Sequence, residues 1–160
     1  MAVERFLVCV GFVCACVKMS VSKFVQGHPG LARDDIVIDH SIYEVVSTTA
    51  GGSCLFDALA LHTGDGVLFT RINKSWEVRQ KIVDHVLDHW DRLGGLSYGP
   101  NGEVFDTPQA YESAMRRPTT FACNVEVQAA AECFCLTIAI FNPSGVRVAT
   151  VNTGREIQCV

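Results

Sequence analysis

The residues best suited to chemistry lie in Ala50-Gly51-Gly52-Ser53-Cys54-Leu55-Phe56-Asp57-Ala58-Leu59. Two glycines and a serine lead into a cysteine. The cysteine opens an apolar run that predicts a helix to about Leu61, with Leu55, Ala58 and Leu59 on its core face. A thiol at the first turn of a helix meets backbone N–H groups that have no acceptor within the helix and carry partial positive charge. Those groups favour the thiolate, which is the nucleophilic form. Glycines allow the preceding backbone to turn tightly and leave its amides open to a developing oxyanion. The stretch therefore reads as a nucleophile, Cys54, beside an oxyanion hole formed by the backbone of Gly51, Gly52 and Ser53. A buried structural cysteine at a strand-to-helix turn has the same pattern, because thiols also behave as small hydrophobes.

The remaining cysteines and the histidines offer less. Besides Cys54 there are Cys9, Cys14, Cys16, Cys123, Cys133, Cys135 and Cys159. The spacings Cys14-x-Cys16 and Cys133-x-Cys135 are wrong for a zinc knuckle, and no histidine pair follows at ligand distance. No metal and no cofactor are expected. Cys133 and Cys135 fall in an apolar stretch, so reduced thiols in a cytosolic setting are the expected state over a disulfide framework. His85 and His89 are four residues apart on a predicted helix and could chelate an ion. With no third ligand nearby, they read as part of a solvated polar face with Asp84, Asp88 and Asp91.

Several elements must position Cys54. Ile36-Val37-Ile38 and Tyr43 to Val46 read as strands leading into the glycine turn, and Thr63-Gly64-Asp65-Gly66 breaks the Cys54 helix. Trp76 to Leu93 predicts a helix with Ser75 as N-cap, Glu77 in its first turn and Gly94-Gly95 at its end. Its apolar side carries Trp76, Ile82, Val83, Val86, Leu87, Trp90 and Leu93. Thr107-Pro108 starts a short helix to about Met115. Asn124 is the expected cap of another, Val125 to about Phe134, with Val125, Ala129 and Ala130 facing inward. Strands follow at Leu136 to Phe141 and through Val146, Val148 and Val151, with a further one at Glu156 to Val160. The plan is α+β, helices packed on a small β-sheet.

Composition bounds the class. The 160 residues are 49% hydrophobic and 19% charged, which fits one packed domain. A net charge of −4 without any basic run argues against nucleic acid as a partner. Residues 1–22 contain a twelve-residue apolar run, Phe6 to Val17, too short to span a bilayer, so a membrane role is not expected. That run fits a secretory signal core, a buried element of the domain, or an extension upstream of a start at Met19. Residues 23–160 are then the folded domain.

Taken in order, four segments resemble the ovarian-tumour (OTU) family of cysteine proteases. Gly51-Gly52-Ser53-Cys54-Leu55-Phe56-Asp57-Ala58-Leu59 is similar to that family's Asp-Gly-Asn-Cys-Leu-Phe-Arg-Ala-Leu motif. Trp76-Glu77-Val78-Arg79-Gln80-Lys81-Ile82-Val83 resembles its second helix, which carries an arginine. Tyr111-Glu112-Ser113-Ala114-Met115 resembles its tyrosine–methionine helix. Phe121 to Ala131, followed by the strand Leu136-Thr137-Ile138-Ala139-Ile140, is similar to its Trp-Gly-Gly-x-x-Glu-Leu-Gln-Ala-Leu-Ala segment and the strand after it. The likeness covers residues 43 to 160.

The resemblance implies a papain-like fold and hydrolysis of an isopeptide or peptide bond after the C-terminal glycine of ubiquitin or a ubiquitin-like protein. Cys54 would attack the carbonyl, and a histidine oriented by Asp or Asn would move the proton. Three departures stand out. Gly51 replaces the motif's aspartate, which would loosen the turn. Phe121 replaces tryptophan. The family's histidine follows the last core strand, and no histidine follows His89 here, so the domain is expected to lack its C-terminal end. His62 is eight residues beyond Cys54, about 12 Å up the same helix. His28, His40, His85 and His89 are not placed near it either, so no general base is assigned. Two functions follow: a cytoplasmic deubiquitinase, of a host cell if the source is a virus or effector-bearing pathogen, or a catalytically impaired OTU-fold protein that binds ubiquitin. A secreted disulfide protein led by residues 1–17 is the third reading.

Overall fold

The structure, a computed structural model, describes residues 7–10, 13–18, 35–38, 41–48, 51–63, 68–99, 102–141 and 146–152, with side chains from residue 48 onward except at 62–63 and 68–73. The expected breaker at Gly64–Gly66, the turn at Asn142–Gly145, the strand Glu156–Val160, and His28 and His40 lie outside the described residues, as does the His62 side chain.

Short β-branched runs at the start form strands. Strands β1 (Leu7–Val10), β2 (Val13–Lys18), β3 (Asp35–Ile38) and β4 (Ser41–Ser47) make an antiparallel sheet in the order β1-β2-β4-β3. The register sets Cys9 opposite Cys14, Cys16 opposite Val46, and Ile36 opposite Tyr43. β4 then delivers the chain to the glycine turn.

Helix α1 (Cys54–Thr63) follows. Each residue from 54 to 60 is at most 6% exposed, so α1 is buried on every side rather than along one stripe. It packs against β2 and against α2 (Leu68–Asp88). The stripe Val78, Ile82, Val83 and Val86 of α2 is buried beside Leu55, Phe56 and Leu59 of α1. Two expectations are corrected here. The helix starts at Leu68, so Ser75 is a buried interior residue and caps nothing. Trp76 stands 48% exposed, outside the apolar stripe.

The predicted single helix to Leu93 is also interrupted. At His89 the backbone leaves helical geometry (φ −119°, ψ 32°), and a short α3 (Trp90–Leu93) restarts before a 3-10 turn, Gly94–Leu96. The cause is local. The His89 ring donates through Nδ1 to the His85 carbonyl at 2.9 Å, sharing it with the His89 amide at 3.2 Å. A side chain that competes for a helix carbonyl bends the helix.

Helix α4 (Pro108–Met115) begins where expected: Thr107 Oγ1 accepts from the Ala110 amide at 3.2 Å and proline takes the first turn. Helix α5 (Asn124–Phe134) begins one residue earlier than expected, with Cys123 as N-cap in place of Asn124. The Glu126 carboxylate accepts from the Cys123 amide at 2.6 Å, which serves the role of a capping side chain. Strands β5 (Ile138–Phe141) and β6 (Arg147–Val151) close the described chain as an antiparallel pair, with β1 close to β5. The whole is α+β, and the first sheet precedes the helices. Among the described residues, no helix is long and apolar enough to cross a membrane.

Candidate active site

Gly51 and Gly52 adopt φ +103° and +104°, a region that disfavours any side chain with a Cβ. They differ in surroundings. A Cβ on Gly51 would meet nothing within 4 Å, whereas one on Gly52 would lie 2.4 Å from the carbonyl carbon and oxygen of Thr119. The turn is thus seated on the backbone of the α4–α5 connection. Ser53 Oγ donates to the Pro118 carbonyl at 2.8 Å, and the Asp57 amide donates to the Ser53 carbonyl at 2.9 Å, closing the first turn of α1. Cys54 is the first helical residue and is 6% exposed.

Arg79 of α2 reaches this turn from below and is 1% exposed. Its Nη1 donates to the carbonyls of Met115 at 2.9 Å and Thr120 at 3.1 Å. Its Nη2 donates to the Gly52 carbonyl at 3.1 Å, the Pro118 carbonyl at 3.1 Å and Ser53 Oγ at 3.3 Å. The guanidinium also lies over the Phe56 ring, 3.9 Å from its centroid. Burial lowers the Arg79 pKa to about 10 against the attraction of Glu126, Asp57, Cys54 and Tyr111, so the side chain is still charged at neutral pH.

A second buried network joins α4 to α5. Tyr111 is fully buried, and its hydroxyl donates to Glu126 Oε1 at 2.8 Å. Glu126 is itself 1% exposed, and burial pushes its carboxyl upward while the Cys123 amide and Tyr111 hydroxyl oppose that. Val125, Ala129 and Ala130, expected inward, are all buried, and Glu126 is buried with them. Glu126 and Ala130 are four apart on one helix face, and that spacing was the available signal.

The two histidines with described side chains belong elsewhere. His85 Nε2 donates to Glu132 Oε2 at 2.7 Å, and Arg92 donates to both Glu132 oxygens at 2.8 and 2.6 Å. His85 is therefore engaged with α5 rather than solvated, and its ring stacks on His89 with centroids 4.3 Å apart. Cys133, His85 and Glu132 share the lining of a groove of about 620 Å³ between α2 and α5, with Trp76, Gln80 and Lys81. That trio looks like a nucleophile, a base and its orienter. Its chemistry is wrong for the part: burial pushes the Cys133 thiol up to about 11, and its Sγ faces the Lys81 carbonyl at 3.8 Å. None of Gly51, Gly52, Ser53 or Cys54 lines the groove. Gln80 there accepts from Arg116 through Oε1, while its buried Nε2 has no hydrogen-bond partner among the described residues. Among the described residues, none of Cys54, Cys123, Cys133 and Cys135 is in a disulfide.

No protein-family model and no curated protein matches this chain.

Proposed function

We propose that the chain is a cysteine protease of OTU-like, papain-type architecture that removes ubiquitin or ubiquitin-like proteins by thiol-mediated isopeptide hydrolysis. The observation that carries this reading is the seating of Cys54. It opens a helix buried on every side, one residue after two glycines of positive φ. In this reading Cys54 Sγ attacks the carbonyl of the ubiquitin C-terminal glycine, and the amides of the Gly51–Cys54 turn meet the oxyanion. Collapse of the tetrahedral adduct expels the lysine amine, which takes up the proton that the Cys54 thiol has given up, and leaves a thioester. Water then releases ubiquitin and restores the thiol.

A specific observation favours a second reading, an OTU-fold protein that binds ubiquitin with little or no cleavage. The described polar contacts of His85 and His89 are with Glu132 and with the α2 backbone, and Cys54 is nearly buried. Di-ubiquitin separates the two. Cleavage that is lost in Cys54→Ala establishes the protease. Saturable binding without cleavage establishes the binder. Neither binding nor cleavage removes both.

A further inference from the structure

We propose that Arg79 is the positioning residue of the Cys54 turn: its buried guanidinium ties that turn to the α4–α5 connection. The inference rests on reading Cys54 as the nucleophile.

Position 51 carries glycine, with no side chain to fix the turn, and its φ of +103° is one that glycine leaves readily. The turn is nonetheless tied down at two points, the Gly52 carbonyl and Ser53 Oγ, both on Arg79 Nη2. The same guanidinium holds the carbonyls of Met115, Pro118 and Thr120 in the α4–α5 connection. One side chain from α2 thus fastens the turn to the α4–α5 connection. Ser53 adds a direct tie by donating to the Pro118 carbonyl that Arg79 also holds. Nη2 has two hydrogens for three acceptors, so its bonds are shared, and loss of one partner redirects the others.

The chemistry of the clamp matters as much as its position. Arginine has donors only. It grips carbonyls and leaves the amides alone. In a trans peptide the C=O and N–H point in opposite directions, so drawing the Gly52 carbonyl onto Arg79 turns the Ser53 N–H away from the guanidinium. The amide is oriented without being consumed. The positive charge also attracts Cys54 electrostatically, and that attraction favours the thiolate.

The test uses the full chain with Arg79→Lys, Arg79→Met and Ser53→Ala. Two rates are followed: labelling by ubiquitin carrying a C-terminal electrophile, and iodoacetamide alkylation of Cys54 against pH, read by peptide mass spectrometry. Thermal denaturation reports the fold. Arg79→Lys keeps a charge but cannot span the five acceptors, and is expected to label at least ten-fold more slowly. Its alkylation midpoint is expected to move to higher pH. Ser53→Ala removes one acceptor of Arg79 together with Ser53's own bond to the Pro118 carbonyl, leaves the buried charge in place, and is expected to slow labelling several-fold with the alkylation midpoint unchanged. If both Arg79 variants fail to fold, a folded Ser53→Ala that labels at the wild-type rate overturns the proposal. Folded variants that label at the wild-type rate with the wild-type alkylation midpoint overturn the proposal. If the wild type itself is not labelled by the ubiquitin probe, the ubiquitin reading fails, and the alkylation profiles still decide the role of Arg79.

Discussion

Gly52 and Gly51 share one backbone conformation and differ in what surrounds them, so alanine at each position separates strain from contact. Both have φ near +104°, and a non-glycine residue in such a region costs about 1–3 kcal/mol. Reduced freedom of the unfolded chain returns about 0.4–1 kcal/mol where the new residue is tolerated. Gly51→Ala, whose Cβ meets open space, is therefore expected to cost about 1–2 kcal/mol. Gly52→Ala adds a contact of 2.4 Å to the Thr119 backbone. Carbon atoms sit comfortably at about 3.5 Å, so that segment must retreat by roughly 1 Å. Such overpacking costs about 1–3 kcal/mol more. The retreat also pulls the Gly52 and Pro118 carbonyls off Arg79, where both bonds are 3.1 Å. Urea denaturation of the two variants should differ by about 2 kcal/mol, or about 4–8 °C in Tm for a chain of this size. Equal losses, within about 0.5 kcal/mol, would refute the seating of the turn on the α4–α5 connection.

Three further outcomes follow from the same contacts. Tyr111→Phe removes the hydroxyl that donates to the buried Glu126 and should cost about 1–3 kcal/mol in urea denaturation, with Glu126→Gln restoring part of that loss in the Phe background. Glu132 is held at about 2, first by Arg92 and then by His85 and Gln128, against an ordinary value of 4.5. Its folded-state pKa is depressed, so its contribution is present above pH 4.5 and lost as pH falls toward 2; Glu132→Gln should flatten that stretch of the stability–pH curve. Burial, then the Glu126 charge, pushes the Cys123 thiol up to about 11, and burial does the same at Cys133. At pH 7.5 both should alkylate far more slowly than Cys54, and a Cys54 slower than either would remove the thiolate assignment.

The local signals in the sequence carried most of the helices. Thr107-Pro108 announced α4 to the residue, because a capping hydroxyl and a first-turn proline act within four residues. Gly51-Gly52-Ser53 announced the turn before α1. The start of α2 was misread because Ser75 has the chemistry of a cap, yet tertiary packing buries it and carries the helix back to Leu68. The role of Arg79 was not legible although its position was. It lies three, four and seven residues before Ile82, Val83 and Val86, on the stripe that faces the core. An arginine on such a stripe must find buried acceptors. Those acceptors are backbone carbonyls of Gly52, Met115, Pro118 and Thr120, and a carbonyl has no sequence signature. The Cys133–His85–Glu132 grouping was hidden for a related reason, since it forms only when α2 and α5 pack.

The assignment of Cys54 as a nucleophile toward ubiquitin is tested most directly by the electrophilic ubiquitin probe with the wild type and Cys54→Ala side by side. The prediction is a single covalent ubiquitin adduct, mapped to Cys54 by mass spectrometry and absent from Cys54→Ala. No adduct on the wild type, or an adduct that persists in Cys54→Ala, would contradict it.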